Sequence, residues 1–430
     1  MSRRTLALLL LTLVYGFNFI DRQIVGILAP FIQRDLGLTN TQLGLLIGLA
    51  FATFYTVIAI PIAWLADRYS RVNILAIALA TWSAFTALTG LATNFVQIGL
   101  ARMGVGVGEA GGSPPSHSII SDLYAKEERA GALGVYSMGI PLGIMSAYFA
   151  TAWLMGAGSD VDWRRIFIIL GVTGVALALV VKLVLREPRR GSMDLSEKTT
   201  LRKATFRDAF SCLLKIPSWW AMCLGIALGS FVSYAFSAFQ TKYLGQLDPS
   251  FSFRTLVIVL GIINGTTYAG GAFLGARLAD RWGARTVRAY GWLPAVAIAI
   301  CLPVGVACFW VSTVWAHLAL TTILLLFLGV YLGPSFAIAQ TLAPINMRAI
   351  STALFFFILN MIALGGGPTF AGWLMDVFRG DNSELVAMRY AMTVTACAFV
   401  PSVISFLVVA RRLPADWQAA EARNRALSES

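Results

Sequence analysis

Twelve apolar runs of membrane-spanning length alternate with short polar loops along the 430-residue chain. A spanning helix needs roughly 20 mainly apolar residues. The runs fall at 5–31, 40–66, 72–92, 95–120, 131–156, 164–186, 218–243, 253–279, 286–308, 313–340, 348–374 and 387–410. Several exceed the minimum length, which predicts tilt. One basic, polar stretch, 187–217, interrupts the series at its middle. The pattern therefore predicts an amino-terminal six-helix bundle over 1–186, a linker over 187–217, a carboxy-terminal six-helix bundle over 218–412 and a polar, solvated tail over 413–430. Within the linker, Phe206, Ala209, Phe210, Leu213 and Leu214 recur at i, i+3, i+4, i+7, i+8, the signature of a short amphipathic helix on a membrane surface. The predicted class is an all-α polytopic membrane protein with twelve transmembrane helices in two pseudo-symmetric six-helix bundles.

Composition supports this pattern. Hydrophobic residues make up 58% of the chain and charged residues 13%, against about 25% charged in soluble proteins. The net charge of +12 is compatible with a nucleic-acid partner until the positions of the basic residues are read. With both termini placed in the cytoplasm, 24 of the 33 Lys and Arg fall on inner segments and 7 on outer ones, while Arg22 and Arg102 lie inside the membrane. This is the positive-inside distribution, so no nucleic-acid partner is expected. The five cysteines form no CxxC, which argues against a disulfide framework and against a metal site. Of the two histidines, His117 follows Pro114-Pro115 at a position suited to lining a pathway, and His317 is expected at a membrane interface. Arg3-Arg4 precede an apolar run containing Asn18 and Asp21, with no small-residue cleavage site, so a cleaved signal is not predicted. The sequon Asn264-Gly-Thr lies inside a predicted span. Short loops and no usable sequon point to a bacterial inner membrane.

A repeat links the halves. Leu65-Ala-Asp67-Arg68 returns as Leu278-Ala-Asp280-Arg281, 213 positions later, each copy ending an apolar run and opening a basic loop with Arg71 or Arg285. A signature duplicated at half-length spacing between apolar helices indicates a duplicated membrane bundle. It resembles the G-x-L-A-D-R-x-G-R loop motif of the major facilitator superfamily, with Ala63 and Ala276 in place of the leading glycine and Ser70 in place of the later glycine of the first copy. The resemblance implies that Asp67, Arg68, Arg71, Asp280, Arg281 and Arg285 form a cytoplasmic latch. An aspartate there is placed to cap the next helix, and the arginines to bridge to the opposite half.

Small residues crowd the helices at four-residue spacing, as in Gly104, Gly108 and Gly112 or Gly139 and Gly143, which lets helices approach closely. Pro141 and Gly365-Gly-Gly-Pro368 allow bending. Gly106-Val-Gly108-Glu-Ala-Gly111 matches GxGxxG, but it lies inside an apolar helix with no preceding strand, so no dinucleotide site is predicted.

Charge inside a bilayer costs at least ~2.5–3.5 kcal/mol per residue and marks function by default. Asp21 and Arg22 on the first helix and Arg102 and Glu109 on the fourth meet that description. At ~1.5 Å per residue, Asp21 lies about 25 Å from the inner end of its helix, Arg102 about 10 Å below the outer surface and Glu109 about 21 Å. Arg102 and Glu109, seven apart, share a face. Asp21 and Arg22 project about 100° apart and need not pair. Asp21, Arg102 and Glu109 are therefore expected to form one buried proton-coupling cluster, with no equivalent acid in the carboxy-terminal half. Cavity candidates are Arg22 and the aromatics Tyr15, Phe19, Phe51, Phe54, Tyr55, Tyr234, Phe239, Tyr268 and Phe356, since amphipathic cargo needs apolar walls with few polar anchors.

The runs Tyr15-Gly-Phe-Asn-Phe-Ile-Asp21-Arg22 and Arg102-Met-Gly-Val-Gly-Val-Gly-Glu109-Ala, with Ile119-Ile-Ser-Asp122-Leu and Arg129, are similar to the spinster branch of this superfamily. That resemblance implies transport of a lysophospholipid or sphingoid phosphate with proton coupling, Asp21 carrying the proton-linked acid, Arg102 and Glu109 its partners, and monomeric function. Arg102 meeting an anionic headgroup is the alternative role. The expected activity is secondary transport by alternating access, in exchange or export of an amphipathic lipid with protons; the alternative is a multidrug or organic-anion carrier. No Walker motif supports direct ATP drive, and no HExxH or Ser-His-Asp set supports an enzyme. A non-transporting receptor would leave the duplicated loop and the buried acids unexplained. No cofactor or metal is expected.

Overall fold

The computed structural model describes residues 2–155, 161–190, 206–344 and 347–429, and among them every regular element is helical. The first half supplies α1 (Arg3–Ile27), α2 (Asn40–Arg68), α3 (Arg71–Thr89), α4 (Phe95–Glu109, resuming as Ser113–Leu123), α5 (Gly131–Leu154) and α6 (Trp163–Val184). The second supplies α7 (Pro217–Leu247), α8 (Phe253–Gly283), α9 (Ala289–Trp310), α10 (Val314–Thr341), α11 (Ile350–Arg379) and α12 (Glu384–Arg423). The loops between them start helices in the expected way. Asn94, Asp162, Thr313 and Ser383 each place a side-chain oxygen on a backbone amide three residues on, and Thr39 and Gln42 form a reciprocal capping box.

Eleven of the twelve segments are continuous enough and apolar enough to cross a membrane. The fourth departs from the unbroken helix expected over 95–120. It stops at Glu109, turns through Ala110-Gly-Gly112 and restarts at Ser113. Pro114 and Pro115 fall in the first turn of the second piece, where their missing amides are tolerated. The bend expected before Pro368 takes the form of a π-helical turn, Asn360–Gly366. Such turns shift helix register and recur at functional sites.

The tail also differs from expectation. Instead of a solvated polar end, the last helix runs on as Phe399–Glu429. Leu413 and Ala420 are fully buried, and Trp417 stacks on Tyr290, ring centroids 5.6 Å apart. Asp416 accepts a hydrogen bond from the Ser218 amide at the start of α7, and Arg423 donates to the Leu342 carbonyl. Leu413, Trp417 and Ala420 recur at helical spacing, so this extension hides an apolar face among its charges. The predicted linker helix is present as Phe206–Leu214, with the Leu213 carbonyl accepting from the Trp220 indole; linker residues 191–205 lie outside the described residues. His317, expected at an interface, is buried, with Nδ1 2.7 Å from the Cys308 carbonyl.

Packing divides the chain into two units: 1–198 with 238–265, and 199–237 with 266–430. In the first unit α1 and α5 meet backbone to backbone. A Cβ added to Gly143 would stand 2.4 Å from the Gly16 carbonyl, so only glycine fits there. The same unit includes the end of α7 and the start of α8. Thr241 donates to the Gly26 carbonyl, Arg254 to the Ala152 carbonyl, and Lys242 to the Asn40 amide oxygen. In the second unit α9 packs along α12. Large apolar side chains remain widely exposed, among them Ile60, Ile77, Trp153, Leu179 and Leu183. An exposed apolar surface on this scale is what lipid, rather than water, accepts.

Candidate functional site

Four charged side chains converge inside the first unit. Asp21, Arg102 and Glu109 are each at most 2% exposed. The Arg22 guanidinium donates from Nε to Glu109 Oε2 at 2.7 Å. This ion pair differs from the sequence expectation, which groups Glu109 with Asp21 and places Arg22 in the cavity. Arg22 also lies 4.3 Å from the Tyr55 ring centroid and 5.2 Å from those of Phe19 and Phe51. An arginine held between a carboxylate and aromatic faces keeps its charge at reduced desolvation penalty.

The second pair of charges is arranged differently. Arg102 shares one ring of that cage, 5.2 Å from the Phe51 centroid, and donates from Nη1 to the Asp21 backbone carbonyl at 3.4 Å, not to its carboxylate. Asp21 and Arg102 thus form no direct ion pair among the described residues, although they are near enough to interact electrostatically. One acid–base pair is closed and the other is open. Opposite charges buried without contact leave part of their desolvation cost uncompensated.

The aromatic candidates fall into separate groups. Tyr15, Phe19, Phe51 and Tyr55 gather round Arg22, with Tyr15 stacked on Tyr136 at 4.4 Å and Phe51 on Tyr55 at 5.5 Å. Phe54 is exposed. Phe239 is fully buried, so it packs rather than lines a cavity. In the second unit Tyr234 and Tyr268 lie near Tyr331, whose hydroxyl is 2.8 Å from that of Ser230, and Phe356 packs on Phe336 and Phe355. The polar centre of the second unit is therefore built of hydroxyls where that of the first is built of charges. Tyr331 and Ser230 carry no formal charge and so gave no signal in sequence. His117 sets its ring edge-on to Tyr136 at 5.2 Å.

The loop motif folds into a staple. Arg71, 1% exposed, donates to Asp122, to the Ser118 hydroxyl at 2.8 Å, to Glu187 at 2.7 Å and to the Pro188 carbonyl at 2.9 Å. Its partners all lie in its own unit, so this arginine ties α3, the second piece of α4 and the strand-like exit of α6 together. That differs from the bridge to the opposite half expected of the loop arginines. Asp67 and Arg68 are exposed, Arg68 lying 3.8 Å over the Trp64 ring. In the second copy Asp280, Arg281 and Arg285 are exposed, and Arg281 and Arg285 flank Trp282 in a shallow depression.

Glu187 completes the staple by accepting from the Val72 amide and the Ser70 hydroxyl. Burial opposes its ionisation, but these donors and Arg71 outweigh it and hold the carboxyl below its ordinary value. A lowered folded value means that the stabilisation is present above the unfolded value, about 4.3, and is lost as pH falls through the folded one. Glu187→Gln is expected to lower the melting temperature by a few degrees near neutrality, with the gap from wild type closing below about pH 4. A gap that persists unchanged at pH 3 would refute this role.

Comparison with known proteins agrees with the geometry. The family model described as Major Facilitator Superfamily matches residues 11–368. A crystal structure titled as a bacterial homologue of the human lysosomal transporter Spinster, in an inward-facing and unoccupied conformation, is similar with a TM-score of 0.89 and 30% identity, covering 97% of this chain and 98% of that one. An MFS-type efflux pump of Mycolicibacterium smegmatis is 29% identical over 93% of this chain and 91% of its own length. The sphingosine-1-phosphate transporter SPNS2 of Danio rerio is 31% identical over 53% of this chain and 45% of its own. With its duplicated six-helix pattern, its loop motif and its buried charges, this chain belongs to the Major Facilitator Superfamily, in its spinster-like branch, and is a transporter rather than an enzyme.

Proposed function

We propose that this protein exports or exchanges an amphipathic lipid, such as a lysophospholipid or sphingoid phosphate, in antiport with protons across a bacterial inner membrane, by alternating access as a monomer with both termini cytoplasmic. The observation that carries this reading is the half-closed charge cluster. Among the described residues Asp21 is a buried acid that makes no ion pair, next to Arg102 and to the closed Arg22–Glu109 pair. A carboxyl so placed binds a proton on one side of the transport cycle and gives it up when Arg102 or water reaches it. Arg102 or Arg22 supplies a cation for an anionic headgroup, and Tyr15, Phe19, Phe51, Phe54, Tyr55, Tyr234, Tyr268 and Phe356 supply apolar walls. Asp67, Arg68, Asp280, Arg281 and Arg285 serve as the cytoplasmic latch, with Arg71 holding the loop that presents the first copy. The likeness to the sphingosine-1-phosphate transporter supports the lipid class.

A second reading, a proton-coupled multidrug carrier, is favoured by the near-full-length likeness to the mycobacterial efflux pump. Proton flux in proteoliposomes separates the two. Addition of a lysophospholipid is expected to release protons, and an unrelated cationic drug is expected to leave the signal flat. A response to the drug alone would replace the lipid reading with the second one.

A further inference from the structure

The sequence places His117 beside Pro114-Pro115, and the coupling cluster leaves it unused. It sits on the second piece of α4, ~7.5 Å along the helix before Asp122, which holds Arg71. The residue is exposed, and neither ring nitrogen makes a hydrogen bond among the described residues. Hydrocarbon does not accept an unsatisfied imidazole nitrogen, so the surface that His117 presents faces water. Tyr136 holds the imidazole in place. Its ring, 1% exposed, stacks on Tyr15 with planes 9° apart and meets His117 at 5.2 Å with planes perpendicular. His117 and Tyr15 thus both pack on one buried ring. From Tyr15 a row continues along one face of α1, since Tyr15, Phe19 and Arg22 are spaced i, i+4, i+7. The Tyr15 and Phe19 rings lie 5.2 Å apart, and the Arg22 guanidinium lies 5.2 Å from the Phe19 centroid. All three of these residues are partly exposed.

We infer that His117 is a headgroup-binding residue, a shallow station on the cytoplasmic side for the anionic end of an amphipathic cargo, with Arg22 as the deep station. The inference rests on the lipid-transport reading and adds a second place for the headgroup. Spacing separates the two. Helix rise puts Glu109, which holds Arg22, about 12 Å from His117 along α4, and Arg22 about 10 Å from Tyr15 along α1. One phosphate does not reach two groups on the order of 10 Å apart, so they act in turn. Tyr15 and Phe19 offer rings to the alkyl chain between them, as an amphipathic ligand needs. The two ends differ in chemistry. Arg22 stays charged and is already closed on Glu109. An imidazole carries charge only below its ordinary value, about 6.5. His117 therefore holds an anion when protonated and lets it go when neutral. The titratable groups that face it are Tyr136 from α5 and, behind that ring, Tyr15 from α1. The nearest charges along its helix are engaged elsewhere: Glu109 by Arg22 of α1, Asp122 by Arg71 of α3, and Arg129 at the Ser121 carbonyl. Among the described residues α2 sends it no charged contact.

Counterflow of radiolabelled lysophosphatidylglycerol in phosphatidylcholine vesicles, at equal pH on both sides, tests this with wild type, His117→Gln and His117→Arg. The probe carries one phosphodiester charge that does not titrate over the range used, so only the protein changes. At about pH 5.5, below the ordinary imidazole value, His117→Gln is expected to raise KM about fivefold, the upper end for one solvent-exposed ion pair. Its kcat should stay within about twofold of wild type. At about pH 8, where imidazole is neutral, its KM should match wild type. His117→Arg should keep the low KM at both pH values. A KM ratio between His117→Gln and wild type that is the same at both would overturn the assignment, because a merely structural role does not follow the charge of the ring. A wild type that carries no lysophosphatidylglycerol at either pH would overturn the lipid reading beneath it. If His117→Gln does not fold, His117→Arg decides alone, and a KM that climbs with pH as in wild type would refute the proposal.

Discussion

Asp21→Asn is expected to abolish transport driven by a pH gradient, by roughly tenfold or more, a loss above 1.4 kcal/mol in the driven step, while the protein remains folded. Asparagine keeps the shape of the side chain, but it neither binds nor releases a proton. Among the described residues Asp21 is buried without an ion pair, so its replacement removes an acid whose ionised form the surroundings do not fully compensate. The melting temperature should hold or rise. Uptake into proteoliposomes with and without an imposed gradient checks both parts. A variant that still responds to the gradient would place the coupling acid elsewhere, and Glu109 would be the remaining candidate in this unit.

Glu109→Gln is expected to have the opposite signature, losing stability as well as transport. Glu109 is fully buried and holds Arg22, whose side chain is only 16% exposed. Removing one partner of a buried pair strands the other, at about 3–5 kcal/mol. The aromatic cage of Phe19, Phe51 and Tyr55 retains part of the arginine's stabilisation, so the lower part of that range applies. Arg22→Met should be similarly harmful alone. The double variant Arg22→Met/Glu109→Gln should recover most of the stability without recovering transport, because no uncompensated charge remains. Thermal unfolding in detergent of the two single variants and the double one gives the coupling energy directly. Additive losses would show that the pair does not act as one unit.

Much of this protein is legible in its sequence because the bilayer is a severe solvent. Twelve apolar runs, capped by Asn94, Thr39, Asp162 and Ser383, have to become helices, since no other open structure satisfies its backbone there. Asp21, Arg22, Arg102 and Glu109 stand out for the same reason, each charge demanding a partner or a function. The places where expectation failed share a different physics. The break in α4 depends on a balance between Gly111-Gly112 and the Pro114-Pro115 restart that periodicity does not weigh. The tail reads as polar by composition, yet Leu413, Trp417 and Ala420 line one face of a helix and dock it.

The sequence by itself determined which side chains bear charge in the membrane, how many helices carry them and how the halves repeat, because these follow from transfer free energies along one chain. Only the tertiary structure decided who pairs with whom. Arg22 closes on Glu109, Arg102 reaches a backbone oxygen of Asp21, and Arg71 turns inward to Asp122 and Glu187. Those choices depend on helix rotation and on close approaches such as that of α3 to Gly108. An angular error of one residue, about 100°, exchanges one partner for another without changing the hydropathy of any helix.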